Sequence, residues 1–224
     1  MSGANVRRYR ILVLNTEPDA RRVFGAALDA VPADYTFLAH HLMDPGQYLE
    51  SLAPDLVLVS LEWIPQWRIL VAAARRLQIP SVYVVDGVLD WSYVWENEAY
   101  ILEQGTCLQP LMSNVLCVVS QHQARLAAHM GLGEAVRVVG LPRLDAAARC
   151  IPEAGARSGR ILVTTANTWS LNDAHAESVR AAIADLVEYF SRPGSPPVAW
   201  RIAPELAQEH GLELDSASSI ELAM

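Results

Sequence analysis

The sequence predicts an α/β protein: a Rossmann-like parallel-sheet domain at the N-terminus, then a second, incomplete Rossmann-like α/β domain. Three observations predict it. Tyr9 to Asn15 (YRILVLN) and Arg160 to Asn167 (RILVTTAN) are short apolar runs that end in polar residues, and each precedes a helix-like stretch. A short run buried on both faces and followed by a helix marks a parallel sheet. Runs of the same kind alternate with helical segments as far as Val139. There, in VRVVGLPRLD (Val136 to Asp145), a β-branched run meets Gly140 and Pro142, which end the strand and fix the exit direction.

Each element follows in order. Pro18 to Ala30 reads as a helix, Tyr35 to Leu42 as a strand and Pro45 to Leu52 as a short helix. Asp55 to Leu61 (DLVLVSL) is the strongest strand signal. Trp67 to Leu77 is a helix with Arg75 and Arg76 near its C-terminal end, where the helix dipole favours cations. Pro80 to Val85 is a strand ending at Asp86-Gly87, and Val115 to Val119 is a strand ending at Ser120. Gln121 to Met130 is a helix closed by Gly131, and Val136 to Val139 is a strand. The domain over residues 1–145 is then complete. Residues 146–159 (AAARCIPEAGARSG) are small, polar and broken by Pro and Gly, the composition of a linker. The second domain, 160–224, offers a strand from Arg160, a helix from Ala174 to Phe190 and a Pro/Gly/Ser turn. A strand from Val198 to Ile202 and a short helix from Pro204 follow. That is too little for a free-standing parallel domain, so this domain is expected to be incomplete at Met224.

The chain has 224 residues, 52% of them hydrophobic, enough for one good core or two small ones. Its formal net charge of −8 argues against sequence-independent nucleic-acid binding, which rests on Lys and Arg neutralising phosphates. Cys107, Cys117 and Cys150 form no Cys-x-x-Cys pair and no zinc spacing, so buried thiols in a reducing cytoplasm are expected. No metal site is expected; His40-His41 lacks a third ligand in range, and His122, His129 and His175 lie on helix-like segments. The first residues do not form a signal peptide, and no run is long enough for a transmembrane segment. Peripheral association with a membrane stays open.

In open α/β sheets, ligands lie beyond the carboxyl ends of the strands. That rule selects Asn15, Thr16 and Glu17, then Ser60 and Glu62, then Asp86, Gly87 and Asp90. It continues with Ser120 and Gln121, then Arg143 and Asp145, and in the second domain Thr164 to Thr168, Arg201 and Glu205. Several have plain structural readings. Ser120 reads first as a helix N-cap, Asp86-Gly87 serves equally as a turn, and Asp145 serves as a cap for a helix at Ala146. The aromatic stretch DGVLDWSYVWENEAY reads as an acceptor pocket or as an irregular lid packed on the core. TTANTWSLNDAH reads as a diphosphate site at a helix start or as a polar loop capped by Asp173. The Gly-x-Gly-x-x-Gly fingerprint, the P-loop and the Gly-x-Ser-x-Gly elbow are absent.

The stretches VLCVVSQHQARLAAHMGLGEAVRVVGLPRLD, RILVTTANT and VAWRIAPE resemble glycosyltransferases of GT-B architecture. The nearest groups in style are the CDP-glycerol glycerophosphotransferases, surface-polysaccharide transferases and UDP-N-acetylglucosamine 2-epimerases. The resemblance covers roughly Pro80 to Glu205. It implies an acceptor-binding N-terminal domain, a donor-binding C-terminal domain and a cleft between them. Asp86 or Asp90 would be the catalytic base. Thr165, Asn167, Thr168 and Arg201 would bind the donor, while Gly87, Ser120, Gln121, Arg143 and Asp145 would lie at the hinge or cleft. The donor is a nucleotide-activated sugar and the acceptor a glycan, with no cofactor and no nucleic acid. Where such proteins often carry Arg-x-His-Pro, this chain reads Arg201-Ile-Ala-Pro, with Ala203 at the His position. Their later aspartate-rich donor segment would begin after Met224. A sugar epimerase of the same plan, or a non-catalytic domain that binds a ligand or partner subunit, are the rival expectations.

Overall fold

The computed structural model describes residues 8–38, 44–87, 94–96, 98, 101–103, 105–145, 159–165 and 173–214. The chain divides into two compact units, Met1–Cys150 and Ile151–Met224.

The first unit is a six-stranded sheet flanked by helices, a Rossmann-like α/β arrangement. In chain order it runs β1 (Tyr9–Val13), α1 (Glu17–Phe24), α2 (Ala27–Ala30), β2 (Ala33–Phe37), α3 (Pro45–Leu52) and β3 (Leu56–Val59). Then come α4 (Pro65–Arg76), β4 (Ser81–Val84), a short antiparallel hairpin of β5 (Ile101–Leu102) and β6 (Gly105–Thr106), β7 (Val115–Val118), α5 (Gln121–His129) and β8 (Val136–Val138). The strand order is β2-β1-β3-β4-β7-β8, with every neighbouring pair parallel. The order reverses direction between β1 and β3. In doubly wound sheets that reversal opens a crevice at the carboxyl ends of the two strands.

Strand alternation sorts the core into two layers. Leu12, Leu14, Val57, Val59, Tyr83 and Val85 pack with residues of α3, α4 and α5 on one face. Ile11, Val13 and Val84 pack with Ala20, Val23 and Phe24 of α1 on the other. The expected helix from Pro18 to Ala30 is in fact two, because Gly25 takes φ +53° and breaks it. A side chain on Gly25 would also meet the Pro142 carbonyl oxygen at 3.1 Å and the Arg143 Cα at 3.3 Å. The segment after β8 therefore crosses to the α1 face and rests on the end of that helix. The strand expected over Tyr35 to Leu42 begins two residues earlier, at Ala33, and ends at Phe37. The β5–β6 hairpin has no counterpart in the sequence reading. Cys107 and Cys117 are buried free thiols, and burial pushes Cys107 up to about 11. Cys150, His40 and His41 lie outside the described residues.

The second unit pairs β9 (Ile161–Thr164) with β10 (Val198–Arg201) in parallel, joined by α6 (Asp173–Phe190) and followed by α7 (Pro204–Glu209). Ile183, Trp200, Ile202 and Leu206 form its core. Phe190 meets Trp200 edge-on at 5.9 Å between ring centroids. Asp173, read as a cap, is the first residue of α6 itself.

Candidate functional site

The carboxyl edge of the first unit's sheet carries the buried polar side chains of Asn15, Ser60 and Gln123. Asn15 follows β1 and Ser60 follows β3, level with one another by strand register. Both are buried, at 8% and 2% exposure, and Ser60 Oγ donates to Asn15 Oδ1 at 3.0 Å. The pair sits at the β1/β3 reversal. Thr16 then caps α1: its hydroxyl accepts from the Asp19 backbone N–H at 3.2 Å and donates to the Asp19 carboxylate at 2.7 Å. Two carboxylates, Glu17 and Asp19, occupy the first turn.

Asp86 and Gly87 follow β4 and are half-buried. Among the described residues the Asp86 carboxylate has no hydrogen bond or ion pair. Its backbone neighbour is held firmly. Gln123, 3% exposed, donates from Nε2 to the Gly87 carbonyl at 3.1 Å and accepts from the Val119 N–H at 2.8 Å. One side chain thus ties the end of β4 to the end of β7. Ser120 caps α5, accepting weakly from the Gln123 N–H at 3.4 Å, so its structural reading holds. Gln121 is exposed at the first position of that helix.

A third group of polar contacts explains Glu62. This carboxylate is 1% exposed and accepts from the Met112 N–H at 2.6 Å, the Ser113 N–H at 3.0 Å and the Ser113 hydroxyl. Burial pushes its pKa up, and the three donors and nearby Arg68 oppose that rise. Arg68, 8% exposed, donates to the Pro110 carbonyl at 2.9 Å and to the Thr106 carbonyl at 3.4 Å. Glu62 and Arg68 therefore anchor the segment that returns to β7. They do structural work, with every polar arm of the carboxylate occupied.

The structure brings Asp86, Gly87 and Ser120 together through Gln123. It does not bring Arg143 and Asp145 to them. Pro142–Leu144 is a 3-10 turn against Gly25, at the end of α1 remote from Thr16. Asp145 takes right-handed helical angles (φ −59°, ψ −37°), not the extended angles of an N-cap, which corrects the capping role expected for it. Asp90, Asn167 and Thr168 lie outside the described residues. In the second unit Thr165 and Arg201 are neighbours across β9 and β10. The Thr165 N–H donates to the Arg201 carbonyl at 3.2 Å, and the Thr165 hydroxyl accepts from the Ala203 N–H at 3.1 Å. Ala203 is 4% exposed, packed in that unit's core. No group of three or more His, Cys, Asp or Glu able to hold a metal occurs among the described residues. Nor is any helix among them long and apolar enough to cross a membrane.

Sequence reasoning passed over Gln123 in favour of Gln121. The signal was present: Ser120 and Gln123 have capping-box spacing, in which the third residue's side chain reaches back to backbone before the helix.

No family model matches the chain, and no curated protein matches it. A solved structure, a C2-type ketoreductase from a modular polyketide synthase, is similar at 17% identity and a TM-score of 0.31. The similarity covers 91% of this chain and 53% of that one, so this chain spans about half its length. At that TM-score the likeness carries no argument about activity.

Proposed function

We propose that the chain is a GT-B-like transferase that moves a sugar or related group from a nucleotide-activated donor to a glycan acceptor. The observation that carries this reading is Asp86: a half-buried carboxylate without a protein partner among the described residues, at the carboxyl end of a central parallel strand. A base for an acceptor hydroxyl has to be free of other partners and fixed in position. Gln123 supplies the fixing through Gly87.

In this reading Asp86 takes the proton from the acceptor hydroxyl. The acceptor oxygen bonds to the donor's anomeric carbon as the bond to the diphosphate breaks. The diphosphate leaves with the bonding electron pair, and hydrogen-bond donors around it meet its charge. A nucleotide-activated donor goes with a cytoplasmic location. The test is a panel of nucleotide sugars incubated with simple glycosides and read by mass spectrometry. A product heavier than the glycoside by one sugar residue supports transfer. A donor converted to its isomer with no such product replaces this reading by epimerisation, and no turnover of any donor leaves the non-catalytic reading in its place.

A further inference from the structure

We propose that the crevice at the β1/β3 reversal holds an uncharged, hydroxyl-bearing group of a ligand, with the Asn15 side-chain amide as its hydrogen-bonding contact. Within the transferase reading this is a subsite for the acceptor glycan, and the inference rests on that reading only for the ligand's role.

Asn15 is 92% buried by its 8% exposure, yet only one of its two polar side-chain atoms has a protein partner among the described residues, the Ser60 hydroxyl. The other is not among the sealed, unpaired polar atoms of the described residues. A buried amide with half of its bonding capacity unused is costly unless water or a ligand completes it. Its surroundings choose the ligand. The first turn of α1 has lost much of the anion-binding character of a helix start. Pro18 has no N–H, the Asp19 N–H is taken by Thr16, the Ala20 N–H is taken by the Thr16 carbonyl, and the Glu17 and Asp19 carboxylates are ion-paired with Arg21 and Arg22. A phosphate needs several donors together, and this turn has few to offer. A hydroxyl needs one donor, and the Asn15 amide supplies it.

Geometry connects this point to Asp86. Ile11 and Val13, Leu56 and Leu58, and Val82 and Val84 face the α1 layer, and Asn15, Ser60 and Asp86 continue the same alternation on their strands. Register sets Asn15 level with Ser60 and with Val84, and Asp86 stands two residues beyond Val84. Two strand spacings across and two residues along separate Asn15 from Asp86 by roughly 12 Å. That is a span for a saccharide with one hydroxyl on Asn15 and another toward Asp86.

The test is NMR of the Asn15 side-chain amide in the full chain. It is titrated with the methyl glycosides of glucose, galactose and N-acetylglucosamine, and separately with inorganic phosphate. At least one glycoside is expected to shift the amide signals saturably and phosphate to leave them unmoved. Asn15→Asp, close in shape, should weaken glycoside binding by about tenfold or more; if that variant does not fold, the titration of the unaltered chain decides alone. A shift with phosphate, or none with any glycoside, overturns the proposal. Glycoside binding without sugar transfer would keep this subsite and remove the transferase reading, whereas transfer with a silent Asn15 would do the reverse.

Discussion

β3 and β9 are nearly the same peptide with opposite surroundings. β3 is Leu-Val-Leu-Val and β9 is Ile-Leu-Val-Thr, each four residues long and each opening a strand-then-helix unit. Val57 and Val59 of β3 are fully buried, between β1 and β4. In β9, Ile161 is 42% and Leu162 is 61% exposed, and its neighbour among the described strands is β10 alone. An apolar run dictates an extended, sheet-seeking segment. How much of it is covered depends on neighbours that the run itself does not encode.

The comparison can be broken by substitution. Leu12→Ala, at a fully buried position beside β3, should cost about 2–5 kcal/mol by urea unfolding. A smaller loss would mean that the first unit's core is loose. Glu62→Gln comes next, at about 1–3 kcal/mol, because the amide keeps one acceptor oxygen for the Met112 and Ser113 donors and turns N–H groups on the rest. The pH dependence sharpens this. Burial raises the Glu62 pKa, so the folded chain holds that proton more tightly than the unfolded one. Its contribution is full below the ordinary glutamate range and is lost as pH rises through the folded value. Unfolding across mildly acidic pH should show that slope in the unaltered chain and lack it in Glu62→Gln. Gln123→Ala should cost about 1 kcal/mol, from the hydrogen bonds to Gly87 and Val119. Leu162→Ser, at the exposed counterpart, should change the second unit's own transition by less than about 0.5 kcal/mol. A cost like that of Leu12→Ala would show that β9 is covered in solution.

Much of the sheet was legible because parallel strands are short, apolar and separated by capped helices. Thr16, Asp44 and Ser120 each sit ahead of a helix and each accepts from a backbone N–H three residues on. The break at Gly25 was less legible, because its cause is a carbonyl from Pro142, distant in sequence. The same holds at the site. That polar residues follow the strands could be read in order, and Asp86 with them. Which of them pair could not: Asn15 meets Ser60 45 positions away, and Glu62 meets Ser113 51 positions away. Arg143 looked like a residue without a structural task until its backbone was found resting on α1.

The central claim is that Asp86 serves as a base at the carboxyl edge of the first unit. Its most direct test is the rate of sugar transfer by Asp86→Asn against the unaltered chain, with the same nucleotide sugar and glycoside. Loss of a positioned base predicts a fall of about 10²–10⁴-fold, with glycoside binding at Asn15 retained. Transfer at an unchanged rate would contradict the account.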